Sequence, residues 1–111
     1  MKNRRESERS YTYAKVVIWK FDTLGYLRDV SPTGMRIEVF NKIDFSPQKE
    51  VVSTIIPHQD LDIEPFDIKS EIRWVKENDP TTSLGLEIES FETPETEKMF
   101  RRLYNEFKKS T

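Results

Sequence analysis

The sequence predicts a mainly β domain: six short antiparallel strands closed into a barrel, with one C-terminal α-helix. Three observations carry this reading. Runs rich in β-branched and aromatic residues alternate apolar and polar side chains and are divided by turn residues. Only the last stretch, from Pro94, spaces its apolar residues three and four apart. The 111 residues make about one domain, and seven Phe, four Tyr and two Trp supply large units to pack around, although 34% of the chain is charged.

Taken in order, residues 1–10 (MKNRRESERS) are almost without apolar side chains and predict a flexible, solvated arm ahead of a barrel-plus-helix unit over 11–111. YTYAKVVIWKF predicts a first strand over roughly 13–21, with either parity open. A short turn at Asp22–Gly25 overlaps the start of a second strand, Leu24–Val30. Asp29–Gly34 then makes a polar turn, and beyond it Met35, Ile37 and Val39 share one face while Arg36 and Glu38 take the other. Asn41–Glu50 is a loop. Val51–Ile56 is a fourth strand, ended by Pro57, and His58–Pro65 is acidic and irregular. Phe66, Ile68, Ile72 and Trp74 share an inner parity on which Ser70 is the single small residue. After a turn at Glu77–Pro80, Leu84, Leu86 and Ile88 mark the sixth strand. A closed barrel would leave such strands no free edge. Thr93 can cap a helix over about 94–109, with Pro94 at its first position and Glu95 and Glu97 near its positive end. Its stripe of Met99, Phe100, Leu103, Tyr104 and Phe107 is expected to pack on the barrel.

Composition excludes several kinds of chemistry. With no cysteine there is no disulfide frame and no thiolate metal site. No run approaches the roughly 20 apolar residues of a membrane span, and the charged start lacks the apolar segment of a signal peptide, so a cytoplasmic protein is expected. Net charge is −2, with both ends basic and the middle acidic, which disfavours DNA or RNA as a partner. His58 is the only histidine and reads as a surface loop residue. No nucleophile elbow, phosphate loop or triad is present. A non-enzyme is expected, with no catalytic residues, no metal and no cofactor.

Two polar sets remain. Arg5 and Arg9, with Arg4 beside the first, are spaced so that two guanidiniums can converge on one anion. Asp29, Ser31, Pro32 and Gly34 by themselves make an ordinary hairpin connection. Together the sets are complementary: guanidiniums grip phosphate oxygens and stack on bases, and a carboxylate accepts from a guanine edge. A small molecule with both phosphates and guanines would use both.

The RxxxR form of Arg5–Arg9 and the [DN]xSxxG form of Asp29–Gly34 resemble the signature of the PilZ domain. Trp74 ending an apolar strand and Leu84-Gly85-Leu86 opening the next are similar to that family's later pattern, so the resemblance covers about residues 3–108. It implies a PilZ-type barrel and a bacterial receptor for cyclic di-GMP. Arg5 and Arg9 would hold phosphates and stack on a guanine, Asp29, Ser31 and the backbone near Gly34 would hold a guanine edge, and Arg4 would favour a second, stacked ligand molecule. The arm would order over the ligand and signal to an effector protein or through a ligand-dependent dimer. The alternatives are a barrel of the same fold that acts as a ligand-independent adaptor, through its helix or an exposed aromatic such as Trp19 or Phe40, and a barrel that stacks single-stranded nucleic acid, which the acidic body disfavours.

Overall fold

The computed structural model describes residues 14–21, 23–40 and 46–110. Six strands form one closed antiparallel barrel: β1 (Ala14–Ile18), β2 (Thr23–Ser31), β3 (Gly34–Val39), β4 (Glu50–Pro57), β5 (Phe66–Glu77) and β6 (Thr82–Phe91). Around the barrel the order is β1-β2-β3-β6-β5-β4, and β1 closes the ring by pairing with β4. A short 3-10 turn, Gln59–Leu61, interrupts the irregular stretch after β4, where His58 Nδ1 accepts a hydrogen bond from Asp60 N–H at 3.1 Å. Helix α1 runs from Pro94 to Ser110.

The inward side chains follow the alternation closely. Ala14, Val16 and Ile18 on β1, Ile37 and Val39 on β3, and Ile55, Ile68, Ile72 and Leu84 on β4 to β6 are at most 1% exposed, which resolves the open parity of β1. β4 is one residue longer at each end than the run Val51–Ile56, because Pro57 needs no donor where it pairs with Ala14 at the strand's last position.

Three register shifts break the alternation, and each lets one strand carry an extra residue. On β2 the pairs Leu27–Ile37 and Asp29–Arg36 leave Arg28 extra. On β5 the pairs Ile72–Leu86 and Trp74–Gly85 leave Arg73 extra, and on β6 Glu89 is extra between Ser90 and Ile88. The β5 shift overturns the inner placement expected for Trp74. Beyond the bulge the parity flips, so Val75 packs against the core opposite Leu84 while Trp74 points outward and is 42% exposed.

Helix α1 begins as its residues dictate. Thr93 Oγ1 accepts from Thr96 N–H at 3.1 Å, with Pro94 in the first position, where no N–H is missed. Phe100 and Leu103 are buried, Met99 and Phe107 pack against the core, and Phe100 meets Phe91 at 5.5 Å between ring centroids. The stripe therefore covers the barrel over β2, β5 and β6. Its burial, at about 1.5–3 kcal/mol per large side chain, anchors a helix that would be marginal alone.

Leu103→Ala is expected to cost about 2–5 kcal/mol in urea unfolding, because it opens a cavity under the helix. Ser53 Oγ and Ser70 Oγ, by contrast, are buried without hydrogen-bond partners. Ser70→Ala is therefore expected to leave stability unchanged or raise it, since it removes an unpaid desolvation cost. A loss above about 1 kcal/mol would contradict that account of the hydroxyl.

Candidate functional site

The turn Asp29–Gly34 is a hairpin with a two-residue connection, Pro32-Thr33, between the last pair of β2 and β3, Ser31 opposite Gly34. Ser31 Oγ accepts from Thr33 N–H at 3.3 Å, so the serine shapes the turn from within. The hairpin tip is tied to β6, where Ile88 N–H donates to the Thr33 carbonyl at 2.9 Å.

The β2 bulge decides where Asp29 points. Thr23, Gly25 and Leu27 face inward, and strict alternation would continue that face to Asp29 and bury a carboxylate. With Arg28 as the extra residue, Arg28 and Asp29 both turn outward, and Asp29 comes to lie opposite the outward Arg36. Arg36 Nη2 and Nε both donate to Asp29 Oδ2, at 3.2 and 3.4 Å. Oδ1 keeps its full acceptor capacity. An exposed pair of this kind contributes under about 1 kcal/mol, so it orients the carboxylate more than it stabilises the fold.

Gly34 is required by space. None of the described glycines has a positive φ, and a Cβ on Gly34 would stand 2.6 Å from the Leu86 carbonyl oxygen. The glycine lets β3 approach β6. Gly85, on β6, plays the matching part: its missing Cβ is replaced by the Trp74 indole, whose nearest atom would lie 2.1 Å from such a Cβ. Trp74 thus lies flat over β6, held by the β5 bulge on one side and the bare Gly85 backbone on the other.

These features surround one open cleft of about 480 Å³, lined by Asp29, Val30, Ser31, Gly34, Met35, Arg36, Arg73, Trp74, Gly85 and Leu86. Arg73 donates to Glu87 through Nε and Nη2 and lies 3.8 Å from Glu71. The hydrogen bond to Glu87 raises its already high pKa further, so the guanidinium is cationic at any working pH. The cleft therefore combines a carboxylate with a free oxygen, a hydroxyl, two guanidiniums and a half-exposed indole face. It has acceptors and donors for a polar heterocycle, cations for an anion, and a platform for stacking. Among the described residues no cluster of three or more His, Cys, Asp or Glu could hold a metal ion, and no helix is long and apolar enough to cross a membrane.

Of the residues singled out from sequence, Asp29, Ser31 and Gly34 come together in this cleft. Arg4, Arg5 and Arg9 lie outside the described residues. Arg36, Arg73 and Trp74 were not anticipated as site residues. Arg36 carried a usable signal, being an outward position on the strand that returns from the motif; the other two enter only because the barrel sets β5 and β6 beside the hairpin.

A family model, the PilZ domain, matches residues 3–106, nearly the whole chain and both arginine and Asp–Gly motifs. The chain belongs to the PilZ domain family. PilZ domains are receptor and adaptor modules for cyclic di-GMP, and the family consists of binding modules rather than enzymes. No curated protein matched the chain.

The two glycines separate by what a methyl group would strike. Gly34→Ala pushes on backbone and is expected to cost about 1–3 kcal/mol in urea unfolding. Gly85→Ala meets only a side chain, so Trp74 should swing away, with a shift of its indole N–H resonance and a smaller loss of stability.

Proposed function

We propose that this PilZ domain binds cyclic di-GMP in the Asp29–Trp74 cleft and closes it with its N-terminal arm. The observation that carries the reading is the convergence of Asp29, Ser31, Arg36 and Trp74 on one cleft, with two of them turned outward by bulges. A guanine presents two adjacent N–H donors that a carboxylate accepts together, and Asp29 Oδ1 is available for them. Trp74 offers its half-exposed face to a purine, and Arg36 and Arg73 face the phosphates.

Chain direction supports the part given to Arg5 and Arg9. Ala14 pairs with Leu27 in an antiparallel ladder, so the chain before Ala14 approaches alongside the part of β2 that carries Asp29 and Ser31. Arg9 is five residues before Ala14. At about 3.3–3.6 Å per residue, an extended chain reaches roughly 17 Å, enough to place Arg9 over the cleft. In this reading residues 1–10 are the moving arm, 11–111 are the fixed barrel and helix, and Arg4 adds a cation toward a second ligand molecule.

The dinucleotide is a ligand here and neither substrate nor cofactor. Ordering the arm costs conformational entropy that phosphate contacts offset, and the closed arm presents a new surface to an effector protein or to a second copy. The setting for such a switch is the bacterial cytoplasm.

Arg5→Ala and Arg9→Ala should each lose about 1.5–3 kcal/mol of charge-assisted contact, or roughly 10- to 150-fold in affinity by calorimetry. Unchanged affinity in both variants would sink the role of the arm. In amide spectra, saturating dinucleotide should move the resonances of residues 1–13 far more than it alters the hydrogen-bonding pattern of the Ser31–Gly34 turn. No heat and no shift at saturation would remove the ligand reading altogether.

A further inference from the structure

The barrel end away from the cleft carries a second feature that ligand binding does not use. Trp19, Leu24, Phe40 and Val52 are large apolar side chains 51%, 49%, 51% and 42% exposed. They belong to adjacent strands. Trp19 N–H donates to the Val52 carbonyl at 3.0 Å, Leu24 follows the β1–β2 turn opposite Val17, and Phe40 extends β3 beside β2. Phe40 meets Tyr26 edge-on at 6.0 Å. A contiguous apolar face therefore crosses four strands on the outer wall.

Its central side chain is held in place. Trp19 Nε1–H donates to Thr54 Oγ1 at 2.7 Å, and Thr54 Oγ1–H donates to Asp67 Oδ1 at 2.6 Å. An indole that is half in water yet fixed by a two-bond relay has already lost much of the rotamer freedom that docking would cost. Beside it lies a hollow of about 190 Å³ between Trp19, Lys20, Val52, Lys69 and Glu50, roomy enough for one side chain of a partner.

The charges around the face give the partner's chemistry. Each nearby acid is engaged: Glu38 with Arg28 and Thr81, Glu50 with Lys69, and Asp67 with Thr54. Lys15 and Lys20 have no ion-pair partner among the described residues, and Lys49 only overlies the Phe21 ring. On a body that is acidic overall, this face is locally cationic. Two copies placed face to face would set these lysines against each other, which disfavours a symmetric dimer here. The closed barrel offers no edge for strand addition, so side chains must supply the recognition.

We propose that the Trp19–Leu24–Phe40–Val52 face docks a protein segment bearing an apolar anchor flanked by Asp or Glu residues. The anchor fills the hollow beside Trp19, and the flanking acids meet Lys15 and Lys20. This goes beyond the ligand reading and does not depend on it.

A random-peptide display library selected against the full chain, without dinucleotide, tests the proposal. Winning peptides should share an apolar or aromatic residue with acidic neighbours, bind more weakly as salt rises, and shift amide resonances in β1, the start of β2 and β4. Leu24→Glu and Trp19→Ala should each weaken them about thirtyfold or more, as for a central anchor. Trp19→Phe, which keeps the ring and removes the relay, should weaken them less and serves as the folding control. Winners rich in Lys and Arg, winners indifferent to both substitutions, or shifts confined to the cleft would each overturn it. So would a wild-type dimer that Leu24→Glu converts to monomer, which would assign the face to a second copy. A failed dinucleotide titration would leave this outcome unaffected, so the two readings fail separately.

Discussion

Two extra residues, Arg28 on β2 and Arg73 on β5, are the constraint on which the candidate site rests. A strand alternates its side chains with period two, so inserting one residue against the partner reverses everything after it. On β2 the reversal keeps the Asp29 carboxylate out of the core. On β5 it brings Trp74 out of the core and lays it across Gly85. Between the two bulged strands runs the β3–β6 pair, where Gly34 permits the approach of the two backbones. Without these shifts the same residues would form a barrel with a buried, uncompensated carboxylate and no stacking face, a costly arrangement.

The rest of the molecule keeps that geometry rigid. Ring closure gives every strand two hydrogen-bonded neighbours, and α1 drives Phe100 and Leu103 into the core against β2, β5 and β6, the strands that carry the motif and the bulges. The hairpin tip is held to β6 through Thr33 and Ile88. The part of the site contributed by the barrel is therefore built before any ligand arrives, and the entropic cost of binding falls on the arm.

The barrel has two chemically different ends. At one, polar groups and an indole line a cleft near the point where the chain enters β1; at the other, Trp19, Leu24, Phe40 and Val52 make an apolar face. The strands β2 and β3 run through both. A closed barrel cannot pass a signal by lending a strand edge, so a receptor built on it must act through side-chain surfaces and a movable terminus.

By itself the sequence determined whatever depends on local period and local chemistry. The alternation of Met35, Ile37 and Val39, the stripe from Met99 to Phe107, the Thr93 cap and the paired motifs at Arg5–Arg9 and Asp29–Gly34 all act within a few residues, so one strand of text contains them. The inward parity of β1, the outward turn of Trp74, the use of Gly34 as a contact and the arrival of Arg36 and Arg73 in the cleft were decided by tertiary structure. Each depends on which residue of another strand stands opposite, and a bulge is a choice of register made between two strands distant in sequence. Alternation read along β5 alone placed Trp74 inside; the pairing of Ile72 with Leu86 and Trp74 with Gly85 put it outside.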